Sequence, residues 1–264
     1  MLRLRFPIIL LALVLVPQGI AYGQDRQARG WVDVNIGAAA SGAGASTSTL
    51  VTPRSQELQT TAATYGKPST GADFDFGGGY MITPRFGLGV SVSGTAHTGT
   101  VNLRATVPSP FLFNDLVTAT STRPDELIRT EGAMNIHMVF APVNSERSFI
   151  RLFAGPTFFR YSADMVKAVR FTGSASNVRG SNRITITGFD PGTGEGSGWG
   201  FHAGADASFF FSRIVGVGAF GRYSRGTVGV DDPLSSPLTP SIPNQIQDIK
   251  VGGLQAGGGL RLRF

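Results

Sequence analysis

The chain has 264 residues, of which 15% are charged and 41% hydrophobic, with 36 glycines, 15 prolines and no cysteine. So little charge argues against a disordered chain, and the lack of cysteine excludes disulfides, thiolate metal sites and a thiol nucleophile. The formal charge of +6 at pH 7 is scattered, with no basic run interleaved with aromatics, so no nucleic acid is expected as a partner.

The chain opens with Arg3 and Arg5, an apolar run from Phe6 to Val16, and small residues at Ala21 and Gly23. That order is a secretory signal peptide over 1–23, cleaved before Gln24, and the run is shorter than the ~20 residues a membrane-spanning helix needs. One domain, 24–264, is expected to follow.

After Gln24 no helical spacing persists, whereas period-two alternation recurs in eight stretches. Val32, Val34, Ile36 and Ala38 alternate with Asp33 and Asn35; Phe74, Phe76 and Tyr80 with Asp73 and Asp75; Phe86, Leu88, Val90 and Val92 with Ser91 and Ser93. Ile128, Met134, Ile136, Met138 and Phe140 alternate with Arg129, Glu131, Asn135 and His137, then Ile150, Leu152, Ala154 and Phe158 with Arg151 and Thr157. Trp199, Phe201, Ala203, Ala205 and Phe209 alternate with His202 and Asp206, Val215, Val217 and Tyr223 with Arg222, and Leu254, Leu260, Leu262 and Phe264 with Gln255, Arg261 and Arg263. Pro156 falls within the fifth stretch, where it removes a ladder donor; a bulge at Gly155-Pro156 is expected to absorb the loss.

Short connections (83–85, 141–147, 212–213) alternate with long ones (about 40–70, 98–126, 162–197 and 227–247), the arrangement of a membrane barrel. Along the apolar face, Tyr80, Phe86, Phe140, Phe209, Phe211 and Phe264 lie near the short turns. Phe74, Phe158, Trp199, Phe201 and Tyr223 lie higher, about 25 Å away at ~2.5 Å per tilted residue, which matches paired interfacial girdles. The expected fold is all-β: an eight-stranded antiparallel up-and-down transmembrane β-barrel with short periplasmic turns and four long extracellular loops. A closed barrel satisfies every backbone group in hydrocarbon.

The terminus Leu260-Arg-Leu-Arg-Phe264 resembles the C-terminal signal of bacterial outer-membrane proteins, and the Gly-rich strands resemble the eight-stranded group that includes the OmpA membrane domain and the OmpW and Opa types. The resemblance implies residence in a Gram-negative-type outer membrane among its lipids and lipopolysaccharide. It also implies insertion by the barrel-assembly machinery through Leu260, Leu262 and Phe264. Unlike OmpA, the chain ends at Phe264 and carries no expected peptidoglycan-binding domain. A monomer is expected.

The lumen should hold Asp33, Asp73, Asp75, Glu131 and Asp206 against Arg129, Arg151, Arg222 and Arg261, a paired polar plug. Asp206 should meet Arg222, and Asp33 should meet Arg261 where the first and last strands close. No cofactor or metal is expected: His97 and His202 sit on opposite walls, and His137 lies ~15 Å lower at the tilted-strand rise. Nor is catalysis expected. Arg222-Tyr-Ser224 resembles the His-x-Ser motif of outer-membrane lipid A deacylases but has arginine in the histidine place, and the neighbouring His202 and Ser224 should face the lumen. The glycine-rich Gly188–Gly200 lacks the lysine and helix of a phosphate loop and reads as a flexible loop; Ser41–Thr64 and Pro233–Pro243 are also loop-like. Arg160, Arg225 and Lys250 fall near the outer rim, in reach of lipid phosphates. Two roles follow: a structural or surface-display barrel whose loops bind an external ligand, or a narrow OmpW-like channel for small or hydrophobic molecules, suggested by lumen-facing Phe153, Phe159 and Phe220.

Overall fold

Alternation at period two puts apolar side chains on one face of each strand and polar ones on the other, and a ring of such strands can bury only one of those faces. In the computed structural model, which describes residues 29–54, 57–174, 176–231 and 246–264, the buried face is the polar one. The strands are β1 (Gly30–Ser41), β2 (Ser46–Arg54), β3 (Glu57–Tyr65), β4 (Gly71–Met81), β5 (Phe86–Pro108), β6 (Leu116–Asn144), β7 (Ser148–Ser174), β8 (Arg183–Phe210), β9 (Val215–Asp231) and β10 (Ile246–Arg263). The expected signal segment 1–23 and the stretch Pro233–Pro243 lie outside the described residues.

All pairings are antiparallel, and β1, β4, β5, β6, β7, β8, β9 and β10 form a closed circuit, since β5 also pairs with β6 and β10 with β1. At the seam Asp33 stands opposite Arg261. Val34, Ile36, Phe76, Leu88, Val90, Ile136, Leu152, Val217 and Leu260 point outward and are exposed. Cross-strand aromatic contacts join the two bands around this belt: Phe86 with Phe140 near the short turns (centroids 5.2 Å), and Phe158 with Trp199 (5.3 Å) higher up.

Thr98–Val107 and Arg183–Phe189, whose sequence suggests strands that extend above the membrane, lie in β5 and β8, whereas most of the other long connections depart from the loop expectation. Residues of Ser41–Thr64 form the hairpin β2–β3, docked on the upper part of β5 through Thr60↔Thr106 to Tyr65↔Val101. Most of 98–126 and 162–197 continues the β5–β6 and β7–β8 hairpins. Gly188–Gly200 is strand rather than flexible loop: Gly188 pairs with Arg170 and Gly200 with Thr157, so main-chain bonding to β7 overrides the low strand propensity of glycine.

Within β5 the chemistry of the two faces inverts. Below, Leu88, Val90 and Val92 point outward while Ser91, Ser93 and His97 are buried. Above the irregularity between Gly99 and Val101, the inward residues are Val101, Leu103 and Ala105, and the outward ones are Asn102 and Arg104. The upper part is therefore water-soluble in design. Ala63, Val101, Leu103, Leu127, Val166 and Ile186 form an apolar core between the β3–β5–β6 sheet and the β7–β8 hairpin.

No register shift occurs at Gly155-Pro156. Pairing stays in step from Asn135↔Thr157 to Met138↔Ala154, with the rungs at Ile136 and His137 missing; the bulge lies instead between Phe140 and Val143, beside Pro142. Gly155 permits this close passage, since a Cβ there would stand 2.0 Å from the Ile136 carbonyl oxygen.

Candidate functional site

Every strand of the ring sends its polar face into the lumen, and all nine expected lumen charges are buried. They divide into three groups. Nearest the short turns, Arg151 Nη2 lies 2.8 Å from both Asp33 Oδ2 and Asp206 Oδ1. Arg261 closes this square by pairing with Asp206 through Nη2 and, in an ionic contact of 3.3 Å, with Asp33. Arg261 Nη1 also donates to Asn35 Oδ1 (2.6 Å).

In the second group, Arg222 Nη1 donates to Asp75 Oδ2 at 2.8 Å and its Nε donates to Gln255 Oε1 at 2.6 Å. Gln255 Nε2 in turn donates to Asp73 Oδ1 at 3.2 Å, and Asn35 Nδ2 to Asp75 Oδ1 at 3.1 Å. The third group lies higher. Arg129 Nε donates to Glu131 Oε1 (2.8 Å), its Nη2 donates to the Lys250 carbonyl (2.9 Å), and the guanidinium stacks on Tyr161 at 4.7 Å.

Asp33 and Arg261 meet as expected from their places on the first and last strands. Asp206 and Arg222 do not pair: Asp206 stands opposite Phe220 and Arg222 opposite Gly204, two rungs apart. Arg222 reaches across the lumen to β4 instead, while Arg151 and Arg261 occupy both oxygens of Asp206.

The polar bridges Asn35, Asn135 and Gln255 complete the network and were not singled out from sequence. Asn135 donates to Ser91 Oγ (3.1 Å) and accepts from Thr157 Oγ1 (2.9 Å). Their signal was available, since each sits on the polar side of its alternating stretch.

His137 is not remote from His202. Their rings are in edge contact with centroids 5.3 Å apart, and both pack on Phe153. The height estimate failed because β6 runs on to Asn144, which places the turn lower, and because rows of residues around a tilted-strand barrel climb from strand to strand. Among the described residues no group of three or more His, Asp or Glu is arranged to hold a metal ion. His202 stands opposite Ser224 in register, but its Nδ1 is engaged with Thr157 Oγ1 at 2.8 Å.

Apolar clusters lie on both sides of the two lower charge groups, while Arg129 and Glu131 sit at the level of the upper cluster. Toward the short turns, Trp31, Met81, Val139, Ala141, Phe149 and Phe210 fill the lumen, with the Arg263 guanidinium 4.0 Å from the Phe210 ring centre. Toward the tall end, Phe159, Tyr161, Met165, Val228, Val230 and Val251 form a second cluster. Within the charged layer, the space bordered by Asp33, Asp75, His137 and Arg222 measures only about 30 Å³. A larger cavity of about 210 Å³ opens at the tall end, walled by Tyr65, Leu127, Tyr161, Met165 and Ile249 with Arg129 at its floor.

Charges inside and an exposed apolar belt outside, on a ring without a free edge, define a transmembrane β-barrel. Among the described residues no helix is long and apolar enough to cross a membrane. No protein-family model matches the chain, and no curated protein matches it in sequence. Similar solved structures include the outer membrane protein OprG from Pseudomonas aeruginosa, at 10% identity and a TM-score of 0.44 over 90% of this chain and 97% of that one. The attachment invasion locus protein Ail of Yersinia pestis aligns at 13% identity and a TM-score of 0.34, covering 88% and 99% of the two chains. The outer membrane protease OmpT from Escherichia coli aligns at 11% identity and 0.44, covering 89% and 97%.

Proposed function

We propose that this protein resides in a Gram-negative-type outer membrane as a closed eight-stranded anchor, and that its work is done by the stranded extension it displays outside the cell. The short turns then face the periplasm and the tall hairpins the exterior. The observation that carries this reading is the layered lumen: an apolar layer, an ion-paired layer and a second apolar layer stacked across the bore. A conducting path needs a continuous polar bore, and the 30 Å³ space in the charged layer holds only about two or three waters.

Lipid is the natural first partner. Arg160, two residues above Phe158, Arg225, opposite Phe201, and Lys250 are exposed on the outer wall beside the upper aromatic band, a placement that suits lipopolysaccharide phosphates. Assembly through Leu260 and Leu262 on the last strand and Phe264 just beyond it, all exposed, fits insertion by the barrel-assembly machinery. The ring completes its own wall without a second copy, which supports a monomer.

A second reading, a narrow OmpW-like conduit for small hydrophobic molecules, is favoured by the cavity of about 210 Å³ at the outer mouth. Buried Phe159 and Phe220 add apolar surface to the lumen. The ion-paired layer blocks any route from that cavity to the periplasm. Planar-bilayer recording of refolded protein separates the two: the anchor stays electrically silent, whereas reproducible unitary currents would establish the conduit.

A further inference from the structure

The cavity at the tall end lies where the extension meets the barrel, and it is blind. Below it Phe159, Val228, Val230 and Val251 close the bore, and the ion-paired layer beneath leaves a space of only about 30 Å³. The space arises where β6 and β7 part. Their pairing ends at Arg129↔Ala163, and above that rung the Asp164 carboxylate accepts from the Ile128 amide at 3.3 Å across the gap. At about 210 Å³ the cavity has room for roughly ten to twelve non-hydrogen atoms at interior packing density.

Two polar groups on its lining have nothing to bind. Arg129 uses Nε and Nη2 on Glu131 and on the Lys250 carbonyl, which leaves Nη1 without a hydrogen-bond partner among the described residues. The Tyr161 hydroxyl has none there either. Both residues line the cavity and neither atom is sealed from it, although Arg129 is only 8% exposed and Tyr161 only 4%. The guanidinium lies 4.7 Å over the Tyr161 ring, so one stacked pair carries both groups. Leu127, Met165 and Ile249 supply apolar wall. A few convergent polar groups in an otherwise apolar concavity are the pattern of a small-molecule site, and buried donors left without acceptors favour a ligand that brings one.

The charges around the cavity select that acceptor. Glu131 already balances Arg129 at 2.6 Å, and on the lining Asp164 and Asp248 outnumber Lys250. Two cations thus face three carboxylates, which disfavours an anion, while the guanidinium at the floor disfavours a cation. A neutral carbonyl oxygen has two lone pairs, one for Arg129 Nη1 and one for the Tyr161 hydroxyl. We propose that this cavity binds a neutral carbonyl compound of about a dozen non-hydrogen atoms, its oxygen on Arg129 and Tyr161 and its apolar body against Leu127, Met165 and Ile249. The proposal rests on the closed-anchor reading, under which the cavity is a terminus and not the vestibule of a conduit.

The test uses the full chain, labelled at its methionine methyl groups, refolded into nanodiscs and titrated with the aryl ketone butyrophenone under nuclear magnetic resonance. Met165 lines the cavity, Met134 and Met138 are exposed on the lipid face, and Met81 lies in the apolar layer below the ion pairs. One titration therefore reads the site, the bilayer and the lower bore separately, and Met165→Leu assigns the first signal. Met165 is expected to shift saturably, Met134 and Met138 only in proportion to ketone dissolved in lipid, and Met81 not at all. Tyr161→Phe keeps the ring under Arg129 and weakens binding about fivefold, and Ala163→Leu fills the cavity and abolishes binding. Butylbenzene, which lacks the oxygen, and the carboxylate phenylbutyrate each bind about fivefold or more weaker than the ketone. Heat-modifiable gel mobility reports that each variant keeps its barrel. No saturable shift at Met165, an unchanged affinity in Tyr161→Phe, or butylbenzene or phenylbutyrate binding as tightly as the ketone overturns the proposal and leaves the anchor intact. A saturable shift at Met81 overturns both, because the ketone has then passed the ion-paired layer.

Discussion

Arg222 and Asp75 lie on β9 and β4, separated by 147 positions in the chain, and their side chains meet across the bore at 2.8 Å. The pair reaches past β1 and β10 rather than joining neighbouring strands, so it braces non-adjacent parts of the wall. A buried pair contributes little net stability against an apolar replacement, but removing one partner strands the other charge at a cost of about 3–5 kcal/mol. Asp75→Ala is therefore expected to destabilise the barrel by that amount, read as a lower urea midpoint for loss of the heat-modifiable band. Asp73, which among the described residues takes a hydrogen bond from Gln255 alone, supplies the contrast: Asp73→Asn keeps an acceptor for Gln255 and should change stability by less than about 1 kcal/mol. Equal losses at the two positions would refute the pairing.

Backbone proximity gives a second contrast. A Cβ at Gly155 meets the Ile136 carbonyl oxygen at 2.0 Å, whereas one at Gly94 meets nothing within 4 Å. Gly155→Ala should force β6 and β7 apart and cost about 1–3 kcal/mol, while Gly94→Ala leaves the urea midpoint unchanged or slightly raised. A Gly155→Ala protein as stable as wild type would show that the strands do not pass so closely.

The stacked closure of the lumen makes conductance a test of all three layers. Phe149→Ala with Phe210→Ala thins the apolar layer near the short turns but leaves Arg151, Arg261 and Asp206 paired above it. Bilayers containing that variant should stay silent. Adding Asp206→Ala frees both arginines from one anchor, and adding Phe159→Ala with Val251→Ala then thins the upper apolar layer; flickering currents are expected only when all three layers are opened. Currents from the double variant would mean that the ion-paired layer does not seal.

The barrel wall was legible because hydrocarbon and lumen impose opposite demands on alternate residues. Leu88, Val90 and Val92 against Ser91 and Ser93 state the strand, its faces and its register of burial together. The extension was harder to read because water replaces hydrocarbon outside it. Val101, Leu103 and Ala105 keep the inward parity of Ser93 and His97 but exchange polarity with their neighbours, so the same period carries the reverse meaning. β2 and β3, rich in serine, threonine and alanine, have weak alternation and owe their form to pairing with each other and with β5. In the lumen, residue type and face located the nine charges, yet partners depended on reach. An arginine side chain crosses the bore as readily as it meets an adjacent strand, and counting rungs gives no measure of that. The relation of His137 to His202 was lost for a related reason, since it depends on the climb of residue rows around the ring.

The salt bridge between Asp33 and Arg261 sits where the first and last strands of the ring join, and Arg261, at 1% exposure, is among the most deeply enclosed side chains of the protein. While that seam is open, neither residue has its full set of counter-charges, and water must solvate both. Zipping the two ends together is then the event that dehydrates the electrostatic centre. A half-inserted sheet has reason to stay ajar until its terminal strand arrives, and little reason to reopen afterwards.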